Sequence, residues 1–251
     1  MSDIDESKAP LLDHLIELRS RLIWSFVALG IAFGGCLYVA KPIFAFLVQP
    51  LLRAGQGKLI YTEIFEAFFV EIKVAFFAAL MIAFPVFATQ VWRFVAPGLY
   101  SKEKRAFLPF LLMTPVLFSA GAAMAYYVAI PIALKYLLGF SGDVGGVQQE
   151  ALPGVGNYLD FVMKFMFGFG IAFLLPVILM LLEAAGLVTR AQLVKGRRYA
   201  IVGIVAIAAV LTPPDIMSQV LLAVPLYLLF EMSLIAIWFT ERRRKREANA
   251  E

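Results

Sequence analysis

The chain offers few side chains for chemistry among its 251 residues, which include one histidine, His14, and one cysteine, Cys36. That inventory excludes a disulfide framework, a cysteine-based zinc or iron–sulfur site and haem held by paired histidines. No catalytic residue, metal centre or cofactor is therefore expected. What remains are carboxylates set beside bases. In His14-Leu15-Ile16-Glu17-Leu18-Arg19-Ser20-Arg21-Leu22, the residues Leu11, Leu15, Leu18 and Leu22 form one apolar stripe at helical spacing. His14, Glu17 and Arg21 flank it, and on residue type alone Glu17 pairs with Arg21 at i,i+4, worth about 0.2–0.5 kcal/mol. A second stretch runs from Gln90 to Arg105. Its Trp92, Phe94 and Tyr100 suit an interfacial belt, Pro97-Gly98 ends a helix, and Glu103 sits among Lys102, Lys104 and Arg105. A third acid, Glu231, is the sole charge between 216 and 240. Ionisable groups inside a bilayer are expensive and functional by default, the plainer alternative here being an acceptor for a neighbouring helix.

The elements that position these groups follow from composition. The chain is 62% apolar and 16% charged, with a mean hydropathy of +0.85, against about half and a quarter in soluble domains. It reads as an all-α polytopic membrane protein. Stretches free of acid and base cover 22–40, 74–92, 106–134, 165–182 and 199–214, with 216–240 following. A bilayer core of about 30 Å needs roughly 20 such residues, so six transmembrane helices are expected, at about 22–40, 68–94, 106–138, 158–184, 198–213 and 216–238. They form a single membrane domain, preceded by an amphipathic segment over 1–21 and followed by a basic tail over 241–251. Lys8, Arg19, Arg21, Lys102, Lys104, Arg105, Arg190, Lys195, Arg197, Arg198 and the run 242–246 share the side of the termini. The opposite loops clearly carry only Lys41, Arg53 and Lys58. The positive-inside rule then makes both termini cytoplasmic, and it accounts for the net charge of +4 without nucleic acid.

The third charge-free run would reach about 44 Å as a helix and must bend or protrude, with Pro109, Pro115 and Pro131 as candidate places. The fifth would reach only about 24 Å. It joins the sixth, also expected short, through Thr212-Pro213-Pro214-Asp215, where Asp215 can cap the next helix. The outer segments 41–67 and 139–157 read as turn-rich loops.

As a set, these residues resemble a known family. The His-Leu-x-Glu-Leu-Arg-x-Arg-Leu start, the Gln-x-Trp-x-Phe-x-x-Pro-Gly-Leu-Tyr-x-x-Glu loop and the Thr-Pro-Pro-Asp-x-x-Ser-Gln hairpin look like TatC, the multispanning subunit of the twin-arginine protein translocase. Phe65-Glu66-Ala67-Phe68 with Lys73, and Pro225 through Glu231, are similar as well. The motifs run in family order from residue 14 to 231. The resemblance implies a signal-peptide receptor and translocase core that exports folded proteins across the bacterial cytoplasmic (inner) membrane, using the proton-motive force. It implies partnership with the single-span TatA and TatB subunits, twin-arginine signal peptides, membrane lipids and further copies of itself. Glu17 and Glu103 would recognise the two adjacent arginines, since a carboxylate accepts the planar guanidinium fork. Arg19, Phe94, Pro97, Leu99 and Tyr100 would support that patch, Arg19 either orienting Glu17 or touching the peptide. Pro50, Glu66, Lys73, Gln90, Asp215, Gln219 and Glu231 are structural or partner-contact candidates. Gln90, Thr114, Ser218 and Gln219 could receive partner helices. One family position departs: an acid common two residues before the proline of the fourth span is Leu174 here.

Two rival classes remain. An intramembrane protease needs a histidine in a later span or an aspartate pair in the bilayer; His14 precedes the first span, and Asp160 and Asp215 lie at span ends. A small-solute secondary transporter needs converging midplane charges and repeat symmetry, and only Glu231 approaches this.

Overall fold

A computed structural model describes residues 3–99, 104–144, 147–149, 151–212 and 215–248, with side-chain surroundings for 15–94, 111–141, 151–212 and 215–242. The fold is helical apart from one hairpin. In chain order the helices are α1 (Asp3–Tyr38), α2 (Ala40–Arg53), α3 (Glu66–Leu99), α4 (Lys104–Met124), α5 (Ile130–Leu138), α6 (Val155–Ala172), α7 (Leu175–Ala184), α8 (Arg190–Lys195), α9 (Arg197–Leu211) and α10 (Ile216–Ala248). Among the described residues, five stretches are long and apolar enough to cross a membrane: Leu15–Tyr38, Glu66–Phe94, Leu111–Leu138, Val155–Ala184 and Ile216–Arg242.

Several elements differ from the sequence expectation. The amphipathic segment and the first span are one unbroken rod, α1, because no proline or glycine separates Leu18 from Leu29. Helix α3 runs through Pro97-Gly98 to Leu99, the last described residue before 104. The segment 41–67, expected as a loop, holds the 14-residue α2. The last helix is not short: α10 has 33 residues, since Glu241 through Ala248 are good helix formers that prolong it and Pro225 does not break it. Helix α9 is short as expected, 15 residues or about 22 Å.

The described chain falls into two compact units, residues 1–45 with 68–115, and 46–67 with 116–251. In the first, Cys36, Ala40, Ala75 and Ala79 form a buried cluster, with Leu29, Phe33 and Ile43 packed against it. Small side chains there let helix backbones approach closely, the usual means of association where lipid removes the hydrophobic drive. Phe33 meets Phe76 edge to face at 6.1 Å. The Trp92 indole N–H donates to Thr114 Oγ1 at 2.7 Å, joining α3 to α4 with both groups buried.

In the second unit the helical run of the long third span changes its hydrogen bonding just before Pro131. That residue has no N–H to give the helix, and the five residues before α5, Ala125–Ala129, widen into a π-helical turn closed by Ile130 N–H to the Ala125 carbonyl. Phe118, Phe165 and Phe169 fill the core. Gly170 lies under the Phe118 ring, where an added Cβ would come within 2.6 Å of ring carbon, so only glycine permits this approach. The fourth span breaks at Phe173-Leu174 ahead of Pro176 and resumes as α7. Gly186, at φ +72°, ends α7, with Leu187 N–H bonded to the Leu182 carbonyl. In α10 the buried stripe is Leu222, Leu226, Phe230, Leu234 and Ile237. The segment 139–157 contains a two-stranded antiparallel hairpin, β1 (Gly142–Val144) and β2 (Val147–Gln149), with Asp143 opposite Gln148.

Pro50 explains a contact that joins α2 to the π-helical turn. Lacking an N–H, it leaves the Phe46 carbonyl four residues earlier without its helical donor. The Tyr126 hydroxyl donates to that carbonyl at 2.6 Å, its ring stacked on Phe46 at 4.3 Å. Tyr158 donates similarly to the Leu47 carbonyl at 2.9 Å. Tyr126→Phe should cost about 0.5–1.5 kcal/mol by removing the donor to a part-buried carbonyl. Adding Pro50→Ala, which restores an N–H, should recover part of that loss. Thermal unfolding of the two single variants and the double variant in detergent checks it; purely additive losses would refute the pairing.

Candidate functional site

The described residues of the patch expected from the sequence lie on α1 and α3. Helical spacing stacks Glu17 below Arg21, and the Arg21 guanidinium engages Glu17 Oε1 through both Nε, at 3.0 Å, and Nη2. Arg21 Nη1 reaches Gln90 Oε1 on α3 at 3.4 Å, and Ser25 Oγ donates to the Arg21 carbonyl at 3.0 Å. Arg21 is thus a bridge holding one carboxylate at a fixed place. The orienting role offered to Arg19 falls to Arg21, because 21 and not 19 lies one turn from 17; Arg19 is exposed. The Glu17 side chain keeps 36% of its surface exposed, and both of its bonds to Arg21 fall on Oε1. Phe94 is half-buried near the end of α3. Pro97 and Leu99 belong to its last turn, with side chains outside the described ones, and Tyr100 and Glu103 lie outside the described residues, between α3 and α4.

The other candidates fall at separate places. Pro50 is buried in α2, as above, and Lys73 is exposed on α3. Glu66, first residue of α3, accepts from the Thr62 N–H and hydroxyl, the Glu63 N–H at 3.2 Å and the Gly156 N–H at 2.6 Å. With the Ile60–Gly154 bridge, it pins the segment before α3 to the start of α6. Asp215 caps α10 through Ser218 N–H at 2.7 Å, as its position after two prolines predicts. Its Oδ1 and the Ser218 Oγ are buried without a partner among the described residues. Gln219 donates to the Val205 carbonyl at 3.3 Å. Glu231 takes the plainer of its two readings: it accepts from Arg197 of α9 at 2.8 Å and from Tyr227 at 3.0 Å. Arg197 and Tyr227 were not singled out for this. The i,i+4 spacing of Tyr227 was a usable signal; the 34-residue separation of Arg197 was not.

The chain matches the family model described as Sec-independent protein translocase protein (TatC) over residues 13–225. It belongs to the TatC family. The TatC protein of Magnetococcus marinus is 48% identical over 98% of this chain and 90% of its own length, and that of Escherichia coli is 38% identical over 96% and 93%. A crystal structure described as twin arginine translocase receptor TatC in DDM superposes with a TM-score of 0.78 at 43% identity, covering 89% of this chain and 98% of its own. As a TatC-family member the chain is a membrane-embedded component of protein transport and not an enzyme, which sets aside the protease and solute-transporter readings. TatC membership also accounts for the order of the motifs, from the Glu17 helix to the Glu231 helix.

Proposed function

We propose that this chain is the signal-peptide receptor of a twin-arginine translocase, with Glu17 and Glu103 accepting the two arginine side chains of an exported protein. The observation that carries the reading is the partly exposed Glu17 carboxylate, already gripped on one oxygen by a guanidinium. Arg21 there displays the chemistry an incoming arginine would use. Each charge-assisted contact supplies about 1.5–3 kcal/mol, so two give at best about 6 kcal/mol, or tens of micromolar. The apolar stretch of the signal peptide must add the rest by packing along the helices. In this reading Arg19, Phe94, Pro97, Leu99 and Tyr100 support that contact, as the family resemblance implies.

In this reading α9 crosses as a sixth span within one membrane domain, both termini are cytoplasmic, and the chain resides in the bacterial inner membrane. TatA and TatB assemble with it and with further copies, and the proton-motive force drives passage of folded cargo. The partnerless Asp215 Oδ1 and Ser218 Oγ, beside Gln219, favour the α9–α10 end as a seat for a partner helix with polar groups. Site-specific photocross-linking from positions 17 and 103 tests the receptor reading. An Arg-Arg signal peptide should cross-link strongly and a Lys-Lys peptide weakly, because lysine has no bidentate fork; equal yields would refute it.

A further inference from the structure

We infer that the chain retains one anionic phospholipid in a groove between α7, α8, α9 and α10, with an acyl chain lying along α9 and the phosphate at Lys195 and Arg197. The groove has a volume of about 360 Å³ and is lined by Leu175, Leu179, Gln192, Gly203, Ile207 and Phe230, among others. It follows α9 from Gly196 to Ile207, about 16 Å of helix. Gln192 is the one polar side chain among its lining residues, and so apolar a groove suits an extended hydrocarbon chain. The floor is open at Gly203, where an added Cβ would meet nothing within 4 Å.

Charge in the segment next to the Gly196 end of the groove selects the head group. Lys195 and Arg197 flank Gly196, which lines the groove, and both are exposed. Arg197 commits one terminal nitrogen to Glu231 and keeps its other N–H groups for an acceptor. Arg190 and Arg198 add positive charge in the same segment, outweighing Glu183 and Glu231 nearby in α7 and α10. A base near a membrane surface favours an anionic over a neutral lipid about fivefold. The inference needs only a chain embedded in a bilayer, so it stands or falls apart from the signal-peptide reading.

The full chain in phosphatidylcholine nanodiscs tests it, doped with traces of phosphatidylglycerol or phosphatidylcholine carrying the same photoreactive acyl chain. Labelled peptides are mapped by mass spectrometry. Label should concentrate on 196–207, with the anionic probe favoured about fivefold or more. Lys195→Gln with Arg197→Gln should bring that preference close to unity while chain labelling persists. Gly203→Phe, which fills the open floor with a better helix former, should remove labelling by both probes; Ala200→Leu replaces it if that variant does not fold. Equal labelling by the two probes in the unaltered chain, labelling indifferent to both filling variants, or displacement of label by a co-reconstituted single-span helix would each overturn the inference.

Discussion

Glu17→Gln should weaken binding of a twin-arginine peptide by about 10- to 150-fold, the equivalent of one charge-assisted contact of 1.5–3 kcal/mol. The amide keeps the shape of the side chain and loses the charge, so α1 is undisturbed while the fork loses its ionic acceptor. Fluorescence anisotropy of a labelled signal peptide against the protein in nanodiscs gives the affinity. The variant also releases Arg21 from its ion pair, and that indirect effect needs its own control. Arg21→Gln removes the bridge to Gln90 and leaves the Glu17 charge; its loss should be smaller than that of Glu17→Gln. With an Arg-to-Lys peptide the unaltered protein should lose affinity steeply, and Glu17→Gln should lose little more. Full additivity of peptide and protein changes would mean that Glu17 does not meet the arginine pair.

Four leucines inserted between Ala209 and Val210 should cut export of a folded reporter at least tenfold while leaving peptide affinity unchanged. Helix α9 has 15 residues, about 22 Å against a hydrocarbon core of about 30 Å. A span too short for its bilayer thins the lipid around it. On the proposed reading, in which α9 crosses the membrane, such thinning would lower the barrier to a path opened by assembled partners. The insertion adds about 6 Å and removes the mismatch. Undiminished export from cells carrying the lengthened helix would rule out thinning as the contribution of α9.

How far the sequence went is clear from particular elements. The charge-free runs became α3, the α6–α7 pair and α10, because a bilayer core leaves few alternatives for apolar segments. Asp215 was legible as a cap from its place after two prolines, and the Glu17–Arg21 pair from i,i+4 spacing. Helix α2 was not legible: 14 residues with prolines at 42 and 50 and bases at 41 and 53 look like a loop. Its helicity is supported by Leu47 and Leu51, buried one turn apart. Tyr126 and Tyr158 were hidden because their acceptors are backbone carbonyls 80 and 111 residues away, which no local pattern encodes. The candidate site divides similarly: the Glu17–Arg21 pair follows from local spacing, the recognition role of Glu17 rests on the family resemblance, and the Arg197–Glu231 pair depends on tertiary packing.

The proline in α2 and the tyrosine in the π-helical turn carry a consequence for how this protein varies. Each is costly alone: Pro50 strands the Phe46 carbonyl, and Tyr126 would otherwise place its hydroxyl near an acceptor with no need of it. Substitution at 126 is therefore tolerated best where position 50 regains an N–H, and a proline at 50 constrains 126 to a side chain with a donor of the right length. The two positions should drift together across lineages as a matched pair, although 76 residues separate them in the chain.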